Sequence, residues 1–352
     1  MISSKEAQDL ILGRTSIEET EEVALNKSLG RILRQEVIAD RNQPPFHRVA
    51  MDGIAINFDA YNSGVRSFPI ENIQAAGTAV LTLENKENCL EVMTGAVLPL
   101  NTNTVIKYED LSIKDSVATI VEQIVPEDMN NVHVEGSDHK INDLLIRPFS
   151  KINSTHIAVL ASCGVTRVTV SKIPKIAIIS TGSELVEIDE KPLSHQIRKS
   201  NAHTLRSELS AHGIKDVTLF HFTDSERETF EGLKKVLEEF SVIVLSGGVS
   251  MGKFDFVPKA LADLRVEKVF HKIKQKPGKP FWFGKGESGQ SVFALPGNPV
   301  SCLVCLRRYV IASINKTIGS KKEESFKVEL AQDFNKKKEF TFFIPVKISN
   351  VE

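Results

Sequence analysis

Three glycine-containing segments are the first candidates for chemistry: Thr181-Gly182-Ser183-Glu184, Ser246-Gly247-Gly248-Val249-Ser250-Met251-Gly252 and Pro296-Gly297-Asn298-Pro299. Each follows a run that reads as a β-strand. Glycine lets backbone N–H groups approach an anion closely, and a helix N-terminus behind such a loop adds a partial positive charge. One such segment is a tight turn; three at the same sheet edge describe an anion site. Residues 274–279 add Lys274, Lys276 and Lys279 around Pro277-Gly278, the most basic compact stretch of the chain. It reads either as a solvated hairpin or as a second oxyanion or phosphate contact. The candidate ligands for a hard cation are Asp52, Asp138, Glu184, Asp224 and Asp255. Magnesium takes one or two carboxylates plus phosphate oxygens, so acids beside glycine loops meet its demand. Each acid also has a structural reading, since Asp224 adjoins a helix cap and Asp255 opens a helix.

Several pattern matches lead elsewhere. Gly284-x-Gly286-x-x-Gly289 has dinucleotide spacing but lies between two strand-like runs and opens no helix. Gly247 to Lys253 has P-loop spacing, yet Phe254 stands where Ser or Thr would hold magnesium. Gly248-x-Ser250-x-Gly252 has the spacing of a hydrolase nucleophile elbow. Only His271 follows Ser250, inside a predicted strand, so a hydrolase built on Ser250 lacks a well-placed base. None of the 9 histidines makes a paired metal spacing. Cys302-x-x-Cys305 lies in an apolar helical run and reads as buried packing, with redox or zinc chemistry as the alternative.

These residues need a scaffold, and the chain supplies three textures. Residues 1–40 read as a helix over 4–12, a helix over 25–33 and a strand over 36–39. Residues 46–140 hold short β-like runs at 89–93, 104–108 and 118–124, separated by Gly, Asn and Pro. A helix is expected over 153–164. From residue 174 onward strands alternate with helices: strands at 176–180, 217–222, 242–245, 266–273, 280–283 and 292–294, and helices at 200–212, 226–240, 256–264 and 300–314. Such alternation predicts a doubly wound, mostly parallel α/β sheet covered on both faces. Ligands then bind beyond the carboxyl ends of its strands, where the three glycine segments fall.

The 352 residues suit two or three domains at roughly 150 residues each. With 44 Lys plus Arg against 45 Asp plus Glu, the net charge of −1 offers no field for nucleic acid or anionic lipid. The 4 cysteines are too few and too scattered for a disulfide framework. Neither a signal peptide nor a long apolar run is evident, so the expected setting is cytoplasmic, without membrane or nucleic-acid partners.

In order along the chain, Pro45-Phe46-His47-Arg48-Val49-Ala50-Met51-Asp52-Gly53, Met93-Thr94-Gly95-Ala96-Val97-Leu98-Pro99, Thr181 to Leu185, Ser246 to Asp255, Lys276-Pro277-Gly278-Lys279-Pro280 and Leu295 to Pro299 resemble the motifs of the molybdopterin molybdenumtransferase family, which includes the gephyrin E-domain. The resemblance spans roughly residues 30–305. It implies an elongated linking and dimerising domain (1–41 and 142–172), an inserted small β domain (42–141), an α/β molybdopterin-binding domain (173–318) and a truncated C-terminal β domain (319–352). It implies a homodimer whose site is shared between subunits. The implied reaction is magnesium-dependent insertion of molybdate into adenylylated molybdopterin, with release of AMP. By motif position Asp52, Thr94, Glu184 and Asp255 would be catalytic, and Asp138, Glu184, Asp224 and Asp255 would hold Mg2+. Gly182, Ser183, Gly247, Gly248, Ser250, Lys276, Lys279, Pro296, Gly297, Asn298 and Ser301 would bind substrate. The chain departs from the family pattern at Ser183, usually Asp; at Val49, usually Ser; and at Lys253, usually an acid. A binding-only scaffold of the gephyrin type is the non-enzymatic alternative.

Overall fold

The computed structural model describes residues 1–17, 19–248, 256–321, 327–335 and 339–348. Two compact units result. The larger comprises residues 1–35, 148–154 and 167–352; the smaller comprises residues 36–147 and 155–166.

The larger unit is built on a six-stranded sheet in the order Val217–Phe222, Ile176–Thr181, Val242–Ser246, Ser291–Leu295, Trp282–Lys285, Glu267–His271. The first four strands are mutually parallel; Trp282–Lys285 runs antiparallel to them, and Glu267–His271 antiparallel to Trp282–Lys285. Strand alternation sends side chains to two cores. Ile176, Ile178, Val242, Val244, Phe293 and Leu295 face one, with Leu205 and Leu209 of the helix Ser200–Ala211 and Cys302, Cys305 and Tyr309 of the last helical run. Ala177, Ile179, Ile243, Leu245, Val292 and Ala294 face the other, under Leu233 and Val236 of Glu226–Glu239 and Ala260 and Leu261 of Val257–Asp263. Both faces are therefore covered, as the strongly apolar strands require.

Helix ends follow local chemistry. Ser3 and Glu6 form a reciprocal capping box at the start of Ser4–Gly13. Ser225 caps Glu226–Glu239 by accepting from the Glu228 N–H, but the Glu228 carboxylate takes the Thr223 hydroxyl instead of closing the box.

Two expected elements differ. The helix expected over 25–33 is a 3-10 turn, Leu25–Lys27; the chain then turns at Gly30 (φ +79°) and bonds non-locally, Gly30 N–H to Ile152 O at 2.8 Å and Leu33 N–H to Ser150 O at 2.9 Å. The strand expected over 266–273 breaks at Lys272 (φ +66°). Its continuation, Ile273–Lys276, joins a separate parallel sheet between Ile2–Ser3 and Thr341–Phe342.

The smaller unit holds a six-stranded sheet in the order Thr104–Lys107, Gly53–Ile56, Cys89–Val92, Ser67–Gln74, Val117–Ile120, Leu111–Lys114, antiparallel except for the third pair. One face packs Ile54, Ile56, Phe68, Ile106 and Ala118. The other packs Val49 with Ala55, Val92, Ala96 and Val105, an apolar setting that suits Val49 where the resembled motif has Ser. No helix among the described residues is long and apolar enough to cross a membrane.

The two-cysteine motif is a packing feature. Cys302 and Cys305 are buried, and burial pushes the Cys302 thiol up to about 11 and Cys305 higher still. Metal binding and redox exchange need the thiolate, which this setting disfavours.

Candidate functional site

Connectivity puts a topological switch point in the larger unit between Ile176–Thr181 and Val242–Ser246. From the first of these strands the chain moves outward to Val217–Phe222, then returns to the opposite side. Doubly wound sheets bind ligands in that crevice. Residues 181–184, 246–248 and 296–298 of the three glycine segments lie along this edge. Gly247 N–H donates to Leu295 O at 3.3 Å. Gly247 (φ +98°) and Gly248 (φ +70°) lie so close to Thr181 that a Cβ on either would fall within about 3.0 Å of its Oγ1. Glycine there is required by backbone conformation and by space together.

Thr181 Oγ1 is buried and finds no hydrogen-bond partner among the described residues. A buried hydroxyl left unpaired costs free energy, so a polar group facing the two glycines is an observation that favours a bound ligand. The following loop is held by a reciprocal pair: Ser183 N–H donates to Asp224 Oδ2, and Asp224 N–H donates to Ser183 Oγ, both at 3.0 Å. Ser183 therefore fixes the loop as a hydrogen-bonding partner of Asp224 and supplies no charge of its own. The Glu184 carboxylate lies over Gly182 (φ +135°), where a Cβ would stand 2.4 Å from Oε2. On the opposite loop Asn298 caps Pro299–Cys305, accepting from Ser301 N–H at 3.2 Å and Ser301 Oγ at 3.4 Å. Pro296 and Gly297 form the turn before it.

The lysine loop belongs to the same unit. Gly278 (φ +100°) packs so closely on the buried Gln275 and Cys305 that a Cβ there would stand 2.6 Å from Gln275 Nε2 and 2.8 Å from Cys305 Sγ. Lys276 and Lys279 are exposed, with Lys276 Nζ 5.8 Å from the Phe342 ring centroid.

Asp52 and Thr94 come together in the smaller unit. Asp52 Oδ1 accepts from Thr94 N–H at 2.6 Å and from Thr94 Oγ1 at 2.7 Å. The backbone N–H first, and the hydroxyl second, hold the Asp52 carboxyl below the usual range. Thr94→Val removes one of the two donors and should raise the Asp52 pKa partway to normal. A 13C-NMR titration of the carboxyl checks this; an unmoved midpoint would mean that the hydroxyl contributes nothing. Because the native value is the lower one, Asp52 stabilises the fold above the ordinary carboxyl range, and that stabilisation is lost as pH falls through the native value. Beside this pair, Tyr108 N–H donates to Asp52 O at 3.1 Å and its hydroxyl donates to Glu91.

Asp138 is exposed in the smaller unit, its N–H bonded to Gln43 O at 2.8 Å. Glu184 and Asp224 belong to the larger unit, and Ser250 and Asp255 lie outside the described residues. Among the described residues no three His, Cys, Asp or Glu side chains converge on one point. Glu184 and Asp224 at this edge are carboxylates, the oxygen-ligand type that a hard cation takes. Sequence reasoning missed Asn201, whose amide bridges two of the loops. It is a polar residue in a segment read only as a helix start.

The fold and this edge together define a doubly wound α/β domain with a glycine-lined crevice at its switch point, joined to a separate small β unit. Residues 2–164 match the family described as MoeA N-terminal region (domain I and II), and residues 177–316 match the probable molybdopterin binding domain. A molybdopterin molybdenumtransferase of Synechocystis sp. is 40% identical over 324 residues, covering 92% of this chain and 80% of the relative. One from Staphylococcus epidermidis is 30% identical over 353 residues, covering 98% and 83%. The crystal structure of a molybdopterin biosynthesis MoeA protein from Pyrococcus horikoshii superposes with a TM-score of 0.77 at 26% identity, covering 91% of this chain and 80% of that one. The chain belongs to the molybdopterin molybdenumtransferase family.

Proposed function

We propose that this chain inserts molybdate into adenylylated molybdopterin and releases AMP, with magnesium, in the cytoplasm. The observation that carries the reading is the glycine-lined crevice at the switch point, with the unpaired Thr181 hydroxyl against Gly247 and Gly248. Both substrates are anions. Loop N–H groups other than those of Gly182, Ser183, Gly247 and Ser301, which are bonded within the protein, together with the cations Lys276 and Lys279, would supply charge-assisted hydrogen bonds to them. Glu184 and Asp224, with Asp255 and Asp138 as further candidates, are the carboxylates to hold Mg2+, which would offset charge building up on the leaving phosphate. Asp52 is kept ionised by Thr94 and provides a fixed anionic acceptor in the other unit.

The deciding experiment adds molybdate to the protein loaded with adenylylated molybdopterin and follows AMP by chromatography. AMP release that depends on molybdate is the expected result. Tight substrate binding with no AMP would instead favour a binding-only homologue.

We further place the active species as a homodimer, since the family's shared site needs two subunits and the polar residues here are divided between two compact units. Sedimentation at micromolar concentration should show twice the 39.0 kDa chain mass. A monomer alone would remove the shared-site arrangement and leave the fold as described.

A further inference from the structure

The side chain that ties two of the glycine loops together belongs to none of the sequence motifs. Asn201 lies in the first turn of Ser200–Ala211, yet it does not cap that helix. Its Nδ2 reaches across the sheet edge, donating to Ser246 Oγ at 2.9 Å and to Gly297 O at 2.8 Å. Asparagine is a poor helix former, so its place in a first turn gains nothing from propensity. The amide nitrogen has two hydrogens, and the two bonds use both.

Each acceptor is a control point of the edge. Ser246 ends the third parallel strand, is only 4% exposed and immediately precedes Gly247-Gly248. Gly297 O belongs to the turn before Pro299–Cys305. In a trans peptide the carbonyl and the following N–H point in opposite directions, so fixing Gly297 O also fixes the direction of the Asn298 N–H. The two loops nearly touch: a Cβ on Gly297 would stand 3.9 Å from Gly247 Cα. A single amide thus ties together two loops that border the crevice.

We propose that Asn201 is a positioning residue for the anion cradle, holding the Ser246-Gly247-Gly248 and Gly297-Asn298 loops at the separation that the substrate's anionic group requires. This rests on reading the edge as the substrate cradle. Asn201 touches no substrate; it acts through the loops. A preorganised cradle contributes equally to substrate and transition state, so its loss should appear in KM more than in kcat.

The test uses Asn201→Asp, which keeps size and places an acceptor against the Gly297 carbonyl, and Ser246→Ala, which removes one of the two bonds and leaves the backbone alone. Hydrogen–deuterium exchange of the ligand-free proteins reports on the clamp itself. Binding of adenylylated molybdopterin and molybdate-saturated kcat report on its use. We expect faster exchange in the peptides carrying residues 246–248 and 296–298, with KM raised tenfold or more in Asn201→Asp and a few-fold in Ser246→Ala, and kcat within a few-fold of the original. Unchanged exchange in both variants overturns the clamp. Faster exchange with unchanged KM in a folded variant overturns its role in positioning. If the unaltered protein itself fails to bind adenylylated molybdopterin, the substrate reading falls, and the exchange data still decide whether Asn201 sets the loops. Should Asn201→Asp fail to fold, Ser246→Ala carries both readouts.

Discussion

Replacing Gly53 by alanine should break the sheet of the smaller unit. Gly53 opens the strand Gly53–Ile56 and is paired on both sides, opposite Val92 and Lys107. A Cβ on Gly53 would stand 1.9 Å from Ile106 O and 2.8 Å from both Ile106 C and Lys107 Cα. These are backbone atoms of the adjacent strand, so no rotamer change relieves the clash; the strands must separate. Overpacking alone costs about 1–3 kcal/mol, and each ladder hydrogen bond lost adds about 1 kcal/mol. A loss of about 3 kcal/mol or more is expected, a large part of a typical stability of about 5–15 kcal/mol. The site suffers as well, because Asp52 is the preceding residue and depends on its position to receive the two Thr94 donors. Urea unfolding, with Asp52 titrated in whatever fraction stays folded, checks both consequences. If Gly53 were present only to let a substrate approach, the variant would unfold at the original urea midpoint with its Asp52 pKa unmoved, and the steric account would be wrong.

That glycine shows where the sequence was readable and where it was not. The motif around Asp52-Gly53 was visible as a string, but nothing in the string says that the missing Cβ makes room for Ile106, a residue over fifty positions away. Strand alternation was readable because each parallel strand is apolar on both faces. Ile176 to Ile179 serve one core at even positions and the other at odd ones, so the whole run is hydrophobic. The glycine segments were readable for a related reason, since their backbone demands are local. Failures fell where long-range bonding overrides local pattern. Leu25, Ile32 and Leu33 have helical spacing, yet the backbone of Gly30 and Leu33 is bonded to residues 152 and 150. Residues 266–273 hold no Gly or Pro to mark a break, and only the left-handed turn at Lys272 divides them between two sheets. Asn201 was illegible because its role is held by two partners distant in sequence, Ser246 and Gly297. The pairing of the Ser183 and Asp224 loops was likewise visible only through their exchange of hydrogen bonds.

Glu184→Gln should abolish most AMP release while leaving the fold intact. Glu184 is exposed and its carboxylate lies over Gly182; its backbone carbonyl, which accepts from Ile197 N–H at 2.8 Å, is untouched by the substitution. Glutamine keeps the shape and one acceptor oxygen but removes the negative charge. A residue whose task is to shape the Gly182 turn would therefore tolerate the change, with stability within about 0.5 kcal/mol, as for ordinary surface substitutions. A residue that holds Mg2+ against a phosphate loses a charged ligand instead. The expected fall in molybdate-dependent AMP release is on the order of 100-fold, or about 2.7 kcal/mol of transition-state stabilisation, partly restored at high magnesium. Asp224→Asn is the natural companion, but its carboxylate also accepts from Ser183 N–H, so the loop itself loosens and the two effects mix. Glu184 separates them. The measurement is a magnesium titration of AMP release, with the melting temperature taken on the same preparation. Should Glu184→Gln release AMP at the original rate at the lowest magnesium concentration, the glutamate is a turn-forming residue, and the cation must be sought at Asp224 or Asp255.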